Sequence, residues 1–192
     1  QAVMQADLTA LVAWREQQKV SFERREGAPL TFTVCFVYAL ARAVAERQRP
    51  ADLGVAVAVE GGLLVPVIRA AEELSLAETA RALADHATRA RGGRLQPAET
   101  QGGLMTLTNV GSFGNLVASP IVPLGQIGIL GPGLVERRPM PTADAGIRFG
   151  WRCWLSLMFD RRALDDLAAE RLLGAVRHGL ATIAPSHADT RQ

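Results

Sequence analysis

The side chains of this sequence that could move a proton or attack a substrate are few. Its 192 residues include three histidines and two cysteines: His86, His178, His187, Cys35 and Cys153. Their separations match no metal-ligand spacing, so we expect no metal site. The cysteines lie far apart in apolar segments, which predicts buried thiols and a reducing, cytoplasmic location rather than a disulfide framework.

A serine nucleophile is a second possibility. Residues 111–114 read G-S-F-G, but the first glycine of the nucleophile elbow G-x-S-x-G is missing. We therefore expect no nucleophilic role for Ser112. Packing is the simplest role for Trp14, Trp151 and Trp154, and ligand stacking is the alternative.

Length and composition restrict the class of protein. With 48% hydrophobic and 21% charged residues, the sequence predicts one soluble domain over residues 1–192. No apolar run approaches the ~20 residues of a membrane helix, and the start shows no signal peptide. Because it begins with Gln1, we interpret the chain as an excised domain. A net charge of +2, with one basic cluster over 89–94 at a helix end, argues against nucleic-acid binding.

Four helices and several strands are predicted to position these side chains. The helices are expected at 7–25 with Asp7 as N-cap, 31–48, 76–92 with a Ser75–Glu78 capping box, and 163–183. The strands are expected at 53–59 and 63–68, forming a glycine-linked hairpin, and at 104–108, 127–130, 134–138 and 147–158. This order indicates an α/β sandwich, a mixed β-sheet with flanking helices, and not a Rossmann domain.

Four motifs resemble one known family in their order. They are GVAVAVEGGLLVPVI (54–68), GGLMTLTNVGSFG (102–114), SPIVPLGQIGILGPGLVERRP (119–139) and LSLMFDRRALDD (155–166). Together they are similar to the catalytic domain of 2-oxoacid dehydrogenase dihydrolipoyl acyltransferases. The resemblance implies a chloramphenicol acetyltransferase-like fold and a homotrimer with active sites at subunit interfaces. It also implies a tunnel that admits CoA from one side and lipoyl-lysine from the other.

The resemblance assigns roles to residues of this chain. In the family a histidine deprotonates the attacking thiol, and a hydroxyl from the neighbouring subunit stabilises the oxyanion. Thr108 falls at the hydroxyl position, and Asp165 at an aspartate that orients the site through a salt bridge. Arg161 replaces the histidine, and Asp166 replaces the final glycine of the motif. The segment between Pro50 and Gly54 is shorter than in the family, which indicates either that a strand pair is lost or that a disordered stretch is missing from the chain. The N-terminal arm that precedes Gln1 in the family is absent as well.

The functional interpretation depends on the role of Arg161. A guanidinium stays protonated, so it cannot be the general base, and loss of a base lowers a rate by about 10²–10⁴. His178 cannot replace it, because 17 residues place it about 25 Å further along a helix. Arg161 either fills the old pocket and pairs with Asp165 or Asp166, or it lowers a thiol pKa or binds a phosphate or carboxylate.

Three functions follow from these alternatives. The first is an inactive or impaired acyltransferase homologue that organises a 2-oxoacid dehydrogenase-like or acyl-transfer assembly. The second is an active acyltransferase that moves an acyl group between lipoyl, CoA or phosphopantetheine thiols, with Arg161 in place of the base. The third is a module that binds a small molecule.

Expected partners are a second and third copy, a lipoyl domain or acyl carrier protein, and dehydrogenase-complex subunits, but no membrane or nucleic acid. No covalent cofactor is expected; lipoyl and CoA are possible substrates.

Overall fold

The computed structural model describes residues 1–47 and 50–188. Nine strands lie in this part of the chain: β1 (Ala2–Asp7), β2 (Leu53–Val55), β3 (Val57–Val59), β4 (Gly62–Leu64), β5 (Val67–Ile68), β6 (Met105–Leu107), β7 (Gly128–Pro132), β8 (Glu136–Pro141) and β9 (Ile147–Phe159). The α-helices described are α1 (Thr9–Glu26), α2 (Phe32–Ala45), α3 (Leu76–Arg91) and α4 (Asp166–Ala188). Short 3₁₀ helices occupy Ala71–Glu73, Pro97–Thr100 and Val110–Phe113.

Seven of these strands form one mixed sheet. Its order is β1-β9-β7-β6-β2-β5, and β8 pairs with the first half of β9. Strands β2, β6 and β7 are parallel, whereas β9 is antiparallel to β1, β7 and β8. The predicted mixed sheet is therefore confirmed, and its longest strand leads directly into the ionic segment at 160–166.

Helices α2 and α4 cover the sheet and share its core. Nine of the 14 residues of α2 are buried, and the helix packs against α4, which in turn packs against β1. Leu155 and Leu157 of β9 are fully buried in the same cluster. The sequence over 31–48 is apolar on most faces, a pattern typical of an interior helix, and α2 is buried accordingly.

The first residues form a strand, so the helix predicted over 7–25 begins too early. Asp7 ends β1 and α1 starts at Thr9, so the prediction of Asp7 as N-cap is wrong. Its carboxylate instead accepts hydrogen bonds from the Thr9 N–H and hydroxyl, at 2.9 and 2.6 Å. The physical reason is tertiary: Ala2 and Ala6 are buried where β1 pairs with β9, a contact that local periodicity cannot reveal.

The hairpin predicted over 53–68 is confirmed but is divided between two sheets. Strands β2 and β5 pair in the main sheet, whereas β3 and β4 form a separate two-stranded sheet. The single strand predicted at 53–59 is interrupted at Ala56. In the β3–β4 turn Gly61 has φ of 81°, a left-handed value that favours glycine. The small hairpin leaves the main sheet, and β3 packs against α3.

The ends of the remaining elements differ from the prediction in particular places. The Ser75–Glu78 capping box of α3 is present as predicted. Helix α4 starts at Asp166 rather than 163, because the Asp160 carbonyl accepts hydrogen bonds from two later N–H groups and closes a turn first. The strand predicted at 134–138 lies at Glu136–Pro141. The helix predicted over 31–48 ends earlier, at Ala45, and residues 46 and 47 form a turn; position 48 itself lies outside the described residues.

Candidate active site

A pocket of about 540 Å³ opens where α3, the β3–β4 hairpin and the start of α2 meet. Thr108 and Asn109, which directly follow β6, belong to its lining, as do Ser112 and Phe113 of the 3₁₀ helix. A cavity of this size falls within the usual range for small-molecule sites. The structure therefore places the predicted oxyanion donor Thr108 in a cavity able to hold a ligand.

Hydroxyl and amide groups form one edge of this pocket. The backbone N–H of half-buried Thr108 donates to the Leu130 carbonyl at 2.9 Å, which ties the residue to β7. The Asn109 amide donates to the Thr33 hydroxyl at 2.9 Å, joining the end of β6 to the start of α2. The Ser112 hydroxyl donates to the Asn109 carbonyl at 2.7 Å. The hydroxyl proton of Ser112 is thus engaged in a hydrogen bond that closes the turn.

Much of the remaining lining of the pocket is an apolar wall. One face of α3 lines it with small and apolar side chains at helical spacing: Ala80, Leu83, Ala84 and Ala87. The β3–β4 hairpin adds Val57, Ala58 and Leu63. Among the described lining residues, Arg91 in the last turn of α3 is the single charged one, and it is exposed. The alanines leave open the space that longer side chains would fill.

The ionic segment at 160–166 connects β9 to α4. Arg162 folds back on Asp160 with three N–O distances of 2.6–3.1 Å, and this hydrogen bonding lowers the pKa of Asp160 to about 2. Arg161 donates to the Asp166 carboxylate at 2.8 Å, so the predicted pairing with a neighbouring acid is confirmed. The side chain of Arg161 is 77% exposed in the single chain, so whether it fills a pocket between two copies stays a prediction. Such a pair contributes only about 0–1 kcal/mol.

Asp165 has a structural role within one chain. Its carboxylate accepts a hydrogen bond from the Ala168 N–H at 2.7 Å, and its carbonyl accepts one from Ala169 at 2.9 Å. These contacts cap the start of α4. The salt bridge that the resemblance implies for Asp165 is not formed in the described part of the single chain.

The three predicted site residues do not meet within one chain. Arg161 and Asp165 are not among the described residues that line the pocket at Thr108. This separation agrees with the arrangement that the resemblance implies, in which the hydroxyl of one subunit faces position 161 of the next. Assembly of the site between two copies stays a prediction.

The other candidate groups have little reactive character. Burial raises the pKa of Cys35 and of Cys153 to about 12, so neither is a thiolate at neutral pH. Burial also lowers the pKa of His86, whose Nδ1 has no hydrogen-bond partner among the described residues. His178 is exposed on α4. The backbone of His187 belongs to α4, and its side chain lies outside the described part of the chain.

Metal, membrane and basic features give no further site. Within residues 1–47 and 50–188, no group of three or more His, Cys, Asp or Glu side chains could hold a metal ion. None of the helices described is long and apolar enough to cross a bilayer. Arg89 of the basic cluster pairs with Asp85 and Glu99 at 2.7–2.8 Å, which agrees with a structural role.

Sequence reasoning missed the apolar wall and Thr33. The spacing of Ala80, Ala84 and Ala87 in a predicted helix was a usable signal, because it leaves one helix face with little side-chain volume. What the sequence could not show is that the β3–β4 hairpin packs beside that face and lines the same pocket. Thr33 and Asn109 are 76 residues apart, so their hydrogen bond depends on the tertiary fold.

The fold class is that of chloramphenicol acetyltransferase. A solved structure of that protein matches 93% of this chain and 86% of its own, with a TM-score of 0.54 and 13% identity, which shows the fold alone. The predicted fold class is therefore confirmed.

The chain belongs to the family of 2-oxoacid dehydrogenase acyltransferase catalytic domains, whose model matches residues 1–187. It is 38% identical, over 92% of its length, to the dihydrolipoyllysine-residue acetyltransferase component of the pyruvate dehydrogenase complex of Mycobacterium bovis. It spans 35% of that relative. It also matches the dihydrolipoamide acetyltransferase of Azotobacter vinelandii, with a TM-score of 0.89, 29% identity, and coverage of 96% of this chain and 82% of that one. That structure was used to study the catalytic roles of a serine, a histidine and an asparagine.

Proposed function

We propose that this chain is a catalytically impaired or inactive lipoate-dependent acyltransferase domain. Its role is to organise a 2-oxoacid dehydrogenase-like or acyl-transfer assembly. The observation that carries the proposal is Arg161, which occupies the position where the resembling motif has a histidine.

The spacing of the site residues supports this correspondence. The histidine and asparagine studied in the Azotobacter vinelandii protein are four residues apart, as are Arg161 and Asp165. Its serine precedes the histidine by 52 residues, and Thr108 precedes Arg161 by 53. By this correspondence the chain keeps a hydroxyl, has an aspartate in the third position, and replaces the base.

The chemistry explains why this replacement matters most. Thioester exchange needs a thiol of pKa about 8.5 to lose its proton as it attacks. A neutral imidazole can accept that proton, whereas a guanidinium already carries its proton throughout the physiological range. A threonine hydroxyl can still donate to an oxyanion. The site therefore keeps the hydroxyl that can stabilise the tetrahedral intermediate, but it lacks the base that helps to form it.

A second candidate function is an active acyltransferase that moves an acyl group between lipoyl, CoA or phosphopantetheine thiols. The exposure of Arg161 favours it, because an unburied guanidinium can reach a ligand held mainly by a neighbouring copy. There it would stabilise a thiolate by its charge. Its weak pair with Asp166 would not prevent that movement.

Acyl transfer from acetyl-CoA to dihydrolipoamide separates the two functions. The native chain is compared with Arg161→His, and with Arg177→His as the same change on an exposed face of α4. The proposed function predicts little native activity and a gain of about 10²–10⁴ in R161H but not in R177H. Native activity that falls in R161H would instead establish the second candidate.

The assembly is part of the same proposal. We expect homotrimers that bind a lipoyl domain or acyl carrier protein, and other dehydrogenase-complex subunits, in the cytoplasm. Sedimentation equilibrium of the purified chain tests the trimer, and a monomer at every concentration would contradict it.

A further inference from the structure

The pocket beside Thr108 is polar on one side and apolar on the other. Thr108, Asn109 and Thr33 form the polar edge, where the Asn109 amide and the Thr33 hydroxyl are already bonded to each other. The α3 wall, formed by Ala80, Leu83, Ala84 and Ala87, lies with the β3–β4 hairpin on the other side. A ligand that fits both sides has one polar group and an apolar body.

We infer that this pocket selects an uncharged alkyl acyl group longer than acetyl, and so sets the acyl class of the domain. The inference rests on the proposed function, which places a thioester carbonyl at the Thr108 hydroxyl. From that point the acyl chain extends over the α3 wall, and Ala84 and Ala87 are specificity-determining residues because their small side chains leave room for it.

The α3 wall suits an acyl chain better than the thiol carrier. A pantetheine arm has amide groups, and burying an amide without a hydrogen-bond partner is unfavourable. The α3 wall consists of alanine and leucine side chains, and the adjacent Thr88 hydroxyl donates to the Ala84 carbonyl at 2.8 Å. An alkyl chain needs no such partners.

The apolar side chains of the α3 wall disfavour a dicarboxylic acyl group. The carboxylate of a succinyl chain would lie against apolar side chains and lose its hydration. Arg91 is exposed to solvent at the far end of α3, where its attraction is screened. An alkyl chain instead gains about fourfold in affinity for each buried CH₂.

The test measures dissociation constants of acetyl-, butyryl- and succinyl-pantetheine for the full chain by calorimetry. Butyryl and succinyl groups have the same number of carbons, so they compare a methyl group with a carboxylate. We expect butyryl-pantetheine to bind about 15-fold more tightly than acetyl-pantetheine, because it buries two more methylenes. Succinyl-pantetheine should bind no better than the acetyl compound.

Substitutions at position 84 then test whether the α3 wall is responsible for the butyryl preference. Ala84→Phe should reduce the butyryl preference to near onefold, and the milder Ala84→Leu should give an intermediate ratio. Ala181→Phe places the same side chain on an exposed position of α4 and should keep the native ratio. Thermal unfolding of each variant shows that it is folded.

Each other outcome overturns the inference. Equal binding of all three thioesters, tight binding of the succinyl compound, or a butyryl preference that survives in A84F would reject the acyl pocket while leaving the proposed function intact. Failure of all three to bind would also reject the acyl pocket, whereas the proposed function is decided separately by the R161H assay and by sedimentation.

Discussion

A pair of facing glycines holds the turn that brings Ser112 and Phe113 to the pocket. Gly111 is the second residue of this turn, Val110–Phe113, and Gly133 follows β7. Between them the Leu134 N–H donates to the Asn115 carbonyl at 2.8 Å. A Cβ on Gly111 would overlap the Gly133 carbonyl and lie 2.6 Å from the Leu134 nitrogen, inside the 3.0 Å limit of real Cβ contacts. A Cβ on Gly133 would overlap the Leu116 carbonyl. Alanine at either position must therefore push two backbone segments apart.

The expected loss of stability follows from the backbone segments that would have to move. Overpacking against side chains costs about 1–3 kcal/mol, and here the obstacle is backbone, so we expect about 3 kcal/mol for Gly111→Ala. For a chain of this length, one kcal/mol corresponds to about 2–4 °C in Tm, which gives a decrease of about 6–12 °C. Gly174→Ala is the matched control. Gly174 lies inside α4, where a Cβ would meet no atom within 4 Å, and the change should stabilise by about 1 kcal/mol.

The assay is urea and thermal unfolding of the native chain, G111A, G133A and G174A, with butyryl-pantetheine binding measured on the folded proteins. We expect both turn variants to lose stability and affinity together, because displacement of the turn moves Ser112 and Phe113 in the pocket. A Tm for G111A within about 2 °C of the native value would refute the close backbone approach. Loss of stability with unchanged affinity would show that the turn does not shape the pocket.

Three other predictions concern the N-terminal cap of α3, the buried cysteine thiols and the loss of stability at low pH. Ser75→Ala removes the α3 capping box and should lower the free energy of unfolding by about 1 kcal/mol in urea titrations. Cys35 and Cys153, with pKa values raised to about 12 by burial, should not react with a disulfide reagent at pH 8 until the chain is denatured. Asp160 has its pKa lowered to about 2 by hydrogen bonding from Arg162, so its contribution is present above its ordinary pKa near 3.8 and lost as pH falls towards 2. Asp160→Asn should therefore lose less stability than the native chain between these pH values in urea titrations.

Local signals predicted the parts of the fold that are locally determined. The capping box at Ser75 and Glu78 satisfies two backbone groups with neighbouring side chains, so sequence alone located the start of α3. The mostly apolar composition of α2 likewise favoured an interior position. By contrast, β1 forms because β9 lies about 150 residues later to pair with it, as in the register of Val3 with Ser156. No local pattern contains that information.

The candidate site shows the same division. The resemblance led to Thr108 because the motif around it is contiguous, and the structure places that residue in a pocket. The apolar wall was not predicted, since it depends on α3 and the β3–β4 hairpin meeting in space. The pairing of Arg161 with Asp166 was predicted as one of two alternatives, and its exposure was not.

The exposure of these two residues explains how the chain can belong to the family while its motif differs at both positions. Arg161 and Asp166 are 77% and 65% exposed, so neither replacement removes a core contact. The motif also contains Leu155 and Leu157, which are fully buried and cannot change without a large loss of stability. Similarity of fold therefore depends on the buried residues of the motif, whereas activity depends on its exposed residues. For this reason the R161H experiment, and not further comparison of folds, decides whether the domain transfers acyl groups.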